Sequence, residues 1–323
     1  MYQIGILGTG DISHSFMKAM EGIGNAGVCG LYGRNLKKTQ EFAKQYGIAF
    51  CTSNEDELIG QKPDLIYIGL PNSMHYNSAI KALSAGISIL IEKPIVSNVK
   101  ELDHLIALSK KTNTKIIEIT RTLSAPGLEI VRDYLPKLGP IRFVHMSFAK
   151  YSRKYDAYLR GEAPNVFTTE YSGGALYDLG VYGVHLALTL FGDPKRIHYD
   201  CVKLDSGVDA AGVLNLTYPE FLVSIQCGKN FERPYDLYLC GEKETITSLS
   251  PASTMTHIST LKSKEELFKE GEYDVFHYAI VDGLRMMDGD EEFYQARLAH
   301  SQKVLAVMCE ARAQADIVFE ADQ

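Results

Sequence analysis

Three stretches of this 323-residue chain hold side chains whose types and spacing suit chemistry. The first is Glu92-Lys93-Pro94, which ends the almost unbroken apolar run Ile87–Ile91. Such a run reads as a strand buried on both faces, and ligands of doubly wound sheets sit beyond the carboxyl ends of the strands. The second is Leu70-Pro71-Asn72-Ser73-Met74-His75, which follows another apolar strand. It brings Pro71, Asn72 and His75 to the same predicted crevice as Glu92 and Lys93. The third is Ser172–Leu186, where Asp178, Tyr182 and His185 recur at i, i+4 and i+7 among apolar residues and glycines. That spacing predicts one polar face on a helix. A tyrosine with a lysine suits alcohol–ketone interconversion: an isolated phenol titrates at about pH 10, and a nearby ammonium favours the phenolate. Taken singly, His75 reads as a packing residue, Lys93 as a solvated charge and the third stretch as a hydrogen-bonded core network. Their joint occurrence favours chemistry.

A glycine loop supplies a partner for these residues. Gly8-Thr9-Gly10-Asp11-Ile12-Ser13 follows the first strand and opens the first helix, the context of a dinucleotide fingerprint. Gly8 permits the tight turn. Gly10 lets the backbone approach a pyrophosphate, which the helix N-terminus holds through its N–H groups and dipole. Ser13 stands where a third glycine is usual, which predicts slightly wider helix–strand contact. The second strand ends on Leu31-Tyr32-Gly33-Arg34-Asn35, with no carboxylate for a ribose hydroxyl. Arg34, Asn35 and Lys38 stand there instead, and the two cations suit a 2′-phosphate, favouring NADP over NAD.

The elements that must position these groups alternate at first. Strands over Tyr2–Leu7, Val28–Tyr32, Asp64–Gly69, Ile87–Ile91 and Lys115–Ile119 are separated by helices over Asp11–Met20, Lys37–Tyr46, Met74–Ala85 and Val99–Lys110. That order implies βαβ units on a doubly wound parallel sheet. The pattern changes after about Arg121. A helix over Gly127–Tyr134 and a strand over Ile141–Phe148 lead to a loop, then to a helix over Ala175–Leu190. Successive strands follow from Arg196 to Ser248, and a last helix covers Glu292–Gln314. The predicted fold class is α/β: a dinucleotide-binding domain over residues 1–121, then an α+β domain over 122–323 with a mainly antiparallel sheet.

Composition narrows the classes. Length favours two domains, and 46% hydrophobic with 23% charged residues is ordinary for a globular protein. A net charge of −7 without a basic run gives no support for nucleic-acid binding. No apolar run spans a bilayer and the start lacks a basic leader, so a cytoplasmic location is expected. Six cysteines lack metal-ligand spacing, and no metal is expected. Asn215-Leu216-Thr217 matches a glycosylation acceptor by chance on this reading.

The ordered set Gly8-Thr-Gly10-Asp-Ile, Pro71-Asn72-Ser-Met-His75, Ala82-Leu-Ser-Ala-Gly86, Glu92-Lys93-Pro94 and Gly173-Gly-Ala-Leu-Tyr-Asp178-Leu-Gly-Val-Tyr182 resembles the Gfo/Idh/MocA family of NAD(P)-dependent oxidoreductases. The resemblance covers the chain to about Asp193; the remainder matches in general pattern only. It implies a Rossmann domain followed by a C-terminal domain whose open-faced antiparallel sheet commonly forms dimers. It implies that Lys93 lies beside the nicotinamide and the reacting hydroxyl. Asp178 and Tyr182 match the branch resembling dihydrodiol dehydrogenase and glucose–fructose oxidoreductase, and Arg34–Lys38 resembles the NADP-type segment of the former. The inositol dehydrogenase branch has His where Tyr182 stands and Asp where His185 stands, so its acid–base pair does not transfer.

The expected activity is hydride transfer between nicotinamide and a sugar, polyol or cyclic alcohol, in a homodimer or higher homo-oligomer. Tyr182 or Lys93 carries the proton, Asp178 orients the pair and His185 contacts substrate. Arg121 lines the cofactor pocket, and the loop Lys150–Tyr171 offers Tyr151, Arg153, Lys154, Tyr155, Arg160 and Asn165 to hydroxyls. The alternatives are a non-enzymatic NAD(P)-binding sensor or scaffold, and an enzyme of imines or amino acids, which a missing arginine pair disfavours.

Overall fold

All 323 residues, Met1–Gln323, are described by a computed structural model. Strands β1 (Tyr2–Leu7), β2 (Ala26–Tyr32), β3 (Phe50–Thr52), β4 (Leu65–Ile68), β5 (Ser88–Glu92) and β6 (Ile116–Ile119) form one parallel sheet in the order β3-β2-β1-β4-β5-β6. Helices α1 (Asp11–Ala19), α2 (Leu36–Tyr46), α3 (Glu55–Gly60), α4 (Met74–Ser84) and α5 (Val99–Thr112) connect them. β4 and β5 are buried at every residue, which is why their sequences are continuous apolar runs rather than alternating ones. Chain direction across the sheet reverses between β1 and β4, the switch point where such sheets bind ligands. Local chemistry ends the helices where the turns need it. Asn35 caps α2 by accepting from Lys38 N at 3.1 Å, and Gly47 closes α2 at φ 69°. Asn98 caps α5 through Glu101 N at 3.0 Å.

The chain then forms α6 (Arg121–Ser124), α7 (Pro126–Tyr134), β7 (Ile141–Ala149) and α8 (Tyr155–Leu159). A π-helical turn over Leu176–Gly180 runs into α9 (Val181–Phe191). Next come β8 (Arg196–Lys203), β9 (Asp209–Thr217), β10 (Leu222–Gly228), β11 (Asp236–Gly241), β12 (Thr245–Ser248), β13 (Ile258–Thr260) and β14 (Glu266–Phe268). These eight strands form one sheet in the order β14-β13-β12-β11-β7-β10-β9-β8. Only β7 and β10 pair in parallel; the other neighbours are antiparallel. One face carries Val144, Met146, Leu214, Val223, Ile225 and Leu239 into a buried core shared with α9. Two helices, α10 (Val275–Met287) and α11 (Glu291–Gln314), end the chain. No helix is long and apolar enough to cross a membrane.

Two compact units result: residues 1–120 with 276–301, and residues 121–275 with 302–323. Segment 276–301, assigned to the second domain on sequence, belongs with the first sheet. Phe276, Ile280 and Leu284 join the core that contains Leu90 and Ile117. Phe276 meets Phe16 edge-on at 5.9 Å, while Phe16 stacks on Tyr67 at 3.9 Å. Tyr294 accepts the Ile116 N–H at 3.2 Å. Apolar periodicity marks a helix face as buried but does not say which sheet covers it. Strands β3, β13 and β14 and helices α3, α6, α8 and α10 are additions to the sequence reading; most are short, and propensity is weak over so few residues.

Candidate active site

Within the first unit, the glycine loop has the shape a dinucleotide requires. Gly8 has φ +117°, and a Cβ there would lie 2.5 Å from Gly69 O. Gly10 is exposed, and a Cβ on it would meet nothing within 4 Å, so its backbone faces open space. Gly10 is the N-cap of α1 and no side chain caps that helix, which leaves its positive end for an anion. These residues fit the pyrophosphate of a nicotinamide dinucleotide. Ser13 is fully buried beneath the loop, its Oγ 3.4 Å from where a Gly8 Cβ would stand.

The end of β2 lies against the loop: a Cβ on Gly33 would come within 2.7 Å of Thr9 Cγ2 and 2.5 Å of Thr39 Oγ1. Arg34 and Lys38 are exposed just beyond it. Asn35 is committed to the α2 cap through its side-chain oxygen.

At the ends of β4 and β5, polar side chains tie the loops together from inside. His75 is fully buried; Nδ1 lies 3.1 Å from Pro94 O and Nε2 lies 2.9 Å from Leu70 O. Burial pushes its pKa down to about 4, opposed by these carbonyls and aided by the charge of Lys93. A neutral ring carries one N–H, so His75 donates to one of these carbonyls and packs against the other where the two strand-end loops meet. Glu92 is 5% exposed and accepts from Tyr67 OH at 3.1 Å. Lys93 is partly exposed and precedes a cis peptide bond to Pro94. Pro71 and Asn72 are partly exposed on the neighbouring loop.

Within the second unit, the expected regular face over Asp178, Tyr182 and His185 is modified by the π turn, which widens the helix just where Asp178 stands. Asp178 is ion-paired with Lys229, whose side chain is 7% exposed and whose Nζ lies 5.9 Å from the Phe167 ring centre. Tyr182 is 8% exposed; its ring is 5.7 Å from that of Phe148, and it borders a small pocket with Met146, Leu179 and Ala252. His185 is fully buried. The helix gets this close to β10 because Gly183 faces it: a Cβ there would be 2.6 Å from Ile225 Cγ2. Buried Asp209 secures the start of the segment, accepting from Leu176 N at 2.6 Å and Tyr199 OH at 2.7 Å. Burial raises its pKa against those bonds.

Lys229 escaped sequence reasoning. The only signal was a charge immediately after the strand Leu222–Gly228, and nothing linear connects it to Asp178. In the loop after β7, Tyr151 OH donates to Asp156 at 2.6 Å and Arg160 to Glu162 at 2.8 Å, both exposed pairs. Tyr155 and Tyr158 stack near Phe167. Arg121 begins α6 and is partly exposed.

Comparison with known proteins places these features in context. Residues 2–119 match the model of an oxidoreductase family with an NAD-binding Rossmann fold, and residues 136–247 match the GFO/IDH/MocA C-terminal domain. The chain is 30% identical to the oxidoreductase YgjR of Escherichia coli (strain K12), over 100% of this chain and 99% of that one. It is 29% identical to scyllo-inositol 2-dehydrogenase (NADP(+)) IolU of Bacillus subtilis (strain 168), over 100% of both. Among solved structures, KijD10, a 3-ketoreductase from Actinomadura kijaniata in complex with NADP, shares the fold. Its TM-score is 0.81, with 19% identity and 97% coverage of each chain.

Proposed function

The chain belongs to the Gfo/Idh/MocA family and is an NAD(P)-dependent oxidoreductase acting on CH–OH groups, and from that premise we propose a sugar, polyol or other cyclic alcohol or ketone as its substrate. The observation that carries this reading is the first sheet: an uncapped helix N-terminus over Gly8 and Gly10, with the Lys93 turn at the carboxyl end of a strand one removed from β1. A bound nicotinamide supplies the hydride donor or acceptor. Lys93 donates a hydrogen bond to the substrate oxygen, Tyr182 exchanges its proton, and Asp178 orients them. In the variant reading Lys93 itself is the proton donor. Gly8, Thr9, Gly10, Asp11 and Ile12 hold the pyrophosphate; Pro71, Asn72 and Arg121 border the cofactor, and His75 and Glu92 support it from inside. His185, being fully buried, would reach substrate only through a neighbour.

NADP is the preferred cofactor on this reading, because exposed Arg34 and Lys38 stand where a carboxylate would serve NAD. The relative IolU is named for NADP(+). A panel of sugars, polyols and dihydrodiols assayed with both cofactors tests the proposal. We expect kcat/KM to favour NADP(H) by at least about tenfold, and Arg34→Ser to erase the preference. Turnover favouring NAD(H) would sink the cofactor reading. The family's dehydrogenases and reductases weigh against a sensor or scaffold. A cytoplasmic location and a homodimer or higher homo-oligomer complete the reading; Phe143, Leu222 and Val202, exposed on strands of the eight-stranded sheet, support the oligomer, and sedimentation equilibrium is its check.

A further inference from the structure

β6 lies beside β5 with Ile91 opposite Glu118 and Glu92 opposite Ile119, so the two glutamates stand on successive rows at the end of the sheet. Glu118 is partly buried, and its carboxyl is engaged by protein donors. Its Oε1 accepts from Ile95 N–H at 3.0 Å and its Oε2 from Ser301 OH at 2.6 Å. The Thr120 side chain also hydrogen-bonds to it. The Ile95 bond matters because of where it falls. Glu92 is anchored by Tyr67, Pro94 O by His75, and Ile95 N by Glu118. Two buried polar contacts and one partly buried one therefore bracket Lys93.

We propose that Glu118 is the positioning residue of the Lys93 turn: its ionised carboxylate grips Ile95, and its protonation slackens that grip and lowers turnover. The effect on turnover rests on the oxidoreductase reading above; the grip on Ile95 does not. A bond from an N–H to a carboxylate is roughly twice as strong as one between neutral groups, so the protonation state of Glu118 sets how firmly the turn is held. Burial pushes the Glu118 pKa up to about 7, Glu92 adds to the rise, and the Ser301 and Ile95 donors oppose it. Charged and titratable groups stand on each neighbouring element. Glu92 comes from β5, with Tyr67 of β4 bonded to it. His75 of α4 is held neutral by burial. Glu101 of α5 is turned to Ser97 N–H at 2.9 Å. On α11, Arg297 is engaged by Asp282 of α10 at 2.6 Å. Lys93 is the group being positioned.

The test follows the Ile95 amide resonance in protein labelled on isoleucine, together with kcat/KM, from roughly pH 5 to 9. In the wild type the Ile95 resonance should titrate with a midpoint at about 7, and kcat/KM should rise through the same point. Glu118→Gln, neutral throughout, should leave Ile95 flat; its kcat/KM should fall about tenfold below wild type at high pH and converge with it at low pH. Ser301→Ala removes a donor that favours the ionised acid, so both midpoints should move up. This second variant keeps the proposal testable should Glu118→Gln fail to fold. A wild-type Ile95 resonance that does not titrate, an unmoved midpoint in Ser301→Ala, or a Glu118→Gln profile parallel to wild type would each overturn it. Absence of cofactor binding and turnover at every pH would instead sink the function reading, while the Ile95 titration still decides the grip.

Discussion

The Lys93 turn and the Tyr182 helix are held by different forces. The turn ends a strand of the first sheet, and polar groups wholly or partly out of water fix it: Tyr67 on Glu92, His75 against Pro94 O, Glu118 on Ile95 N. The helix lies on the second sheet largely through apolar contact made close by Gly183, with one wide turn, an ion pair from Asp178 to Lys229 and the buried Asp209 carboxyl at its start. Buried polar contacts are directional and expensive to break, so they define one backbone path. Glycine-lined apolar contact is shape-sensitive and indifferent to pH. The turn should therefore answer to protons, and the helix to volume.

The largest expected effect tests whether the two regions share one reaction. Lys93→Met and Tyr182→Phe should each lower kcat by at least about a hundredfold, as loss of a proton-transfer group does, while fluorescence titration still shows cofactor binding. If only one of them has that effect, it names the proton carrier; near-normal turnover in both would remove the shared role. Next in size is the volume test. Gly183→Ala puts a methyl 2.6 Å from Ile225 Cγ2, and urea unfolding should show a loss of about 1–3 kcal/mol that does not vary with pH. A pH-dependent loss would mean that Gly183 packing is coupled to Asp209 or to the Asp178–Lys229 pair.

The smallest effect concerns acid stability of the turn. His75 has a folded pKa of about 4 against an ordinary 6.5. The unfolded chain takes up this proton first as pH falls, so the stability it contributes is complete above the ordinary value and is lost between there and the folded value. His75→Gln should therefore lose about 2 kcal/mol less than wild type between pH 7 and pH 5. Glu118 works in the opposite sense: its raised pKa gives stability at low pH that disappears as pH rises towards about 7. The readout is accordingly the difference between the two proteins in urea midpoint, and equal slopes would place the acid sensitivity elsewhere.

Linear sequence carried much of this. Apolar runs alternating with helical segments located most elements of the first sheet, and Gly8 and Gly10 pointed to a phosphate cradle: backbone geometry demands glycine at Gly8, and Gly10 leaves its backbone open to a ligand. The polar residues Asp178, Tyr182 and His185 stood out against an apolar helix, but their regular spacing concealed the π turn, since a single inserted residue leaves no mark on composition. Asn35, expected at the cofactor, also caps α2 through its side-chain oxygen. An asparagine before a helix can cap it with its oxygen, and the sequence does not show which N–H it meets.

What the chain order alone determined was local: which segments are strands or helices, where turns need glycine, and which strand ends carry charge, because these depend on periodicity and backbone sterics. Only the tertiary structure decided the partners drawn from far along the chain. Lys229 reaches Asp178 across 51 positions, Ser301 reaches Glu118 across 183, and segment 276–301 covers the first sheet. Each of those pairings exists because folding removes the groups from water together, so a hydrogen bond or an ion pair must be found inside, and no spacing rule records which one is found.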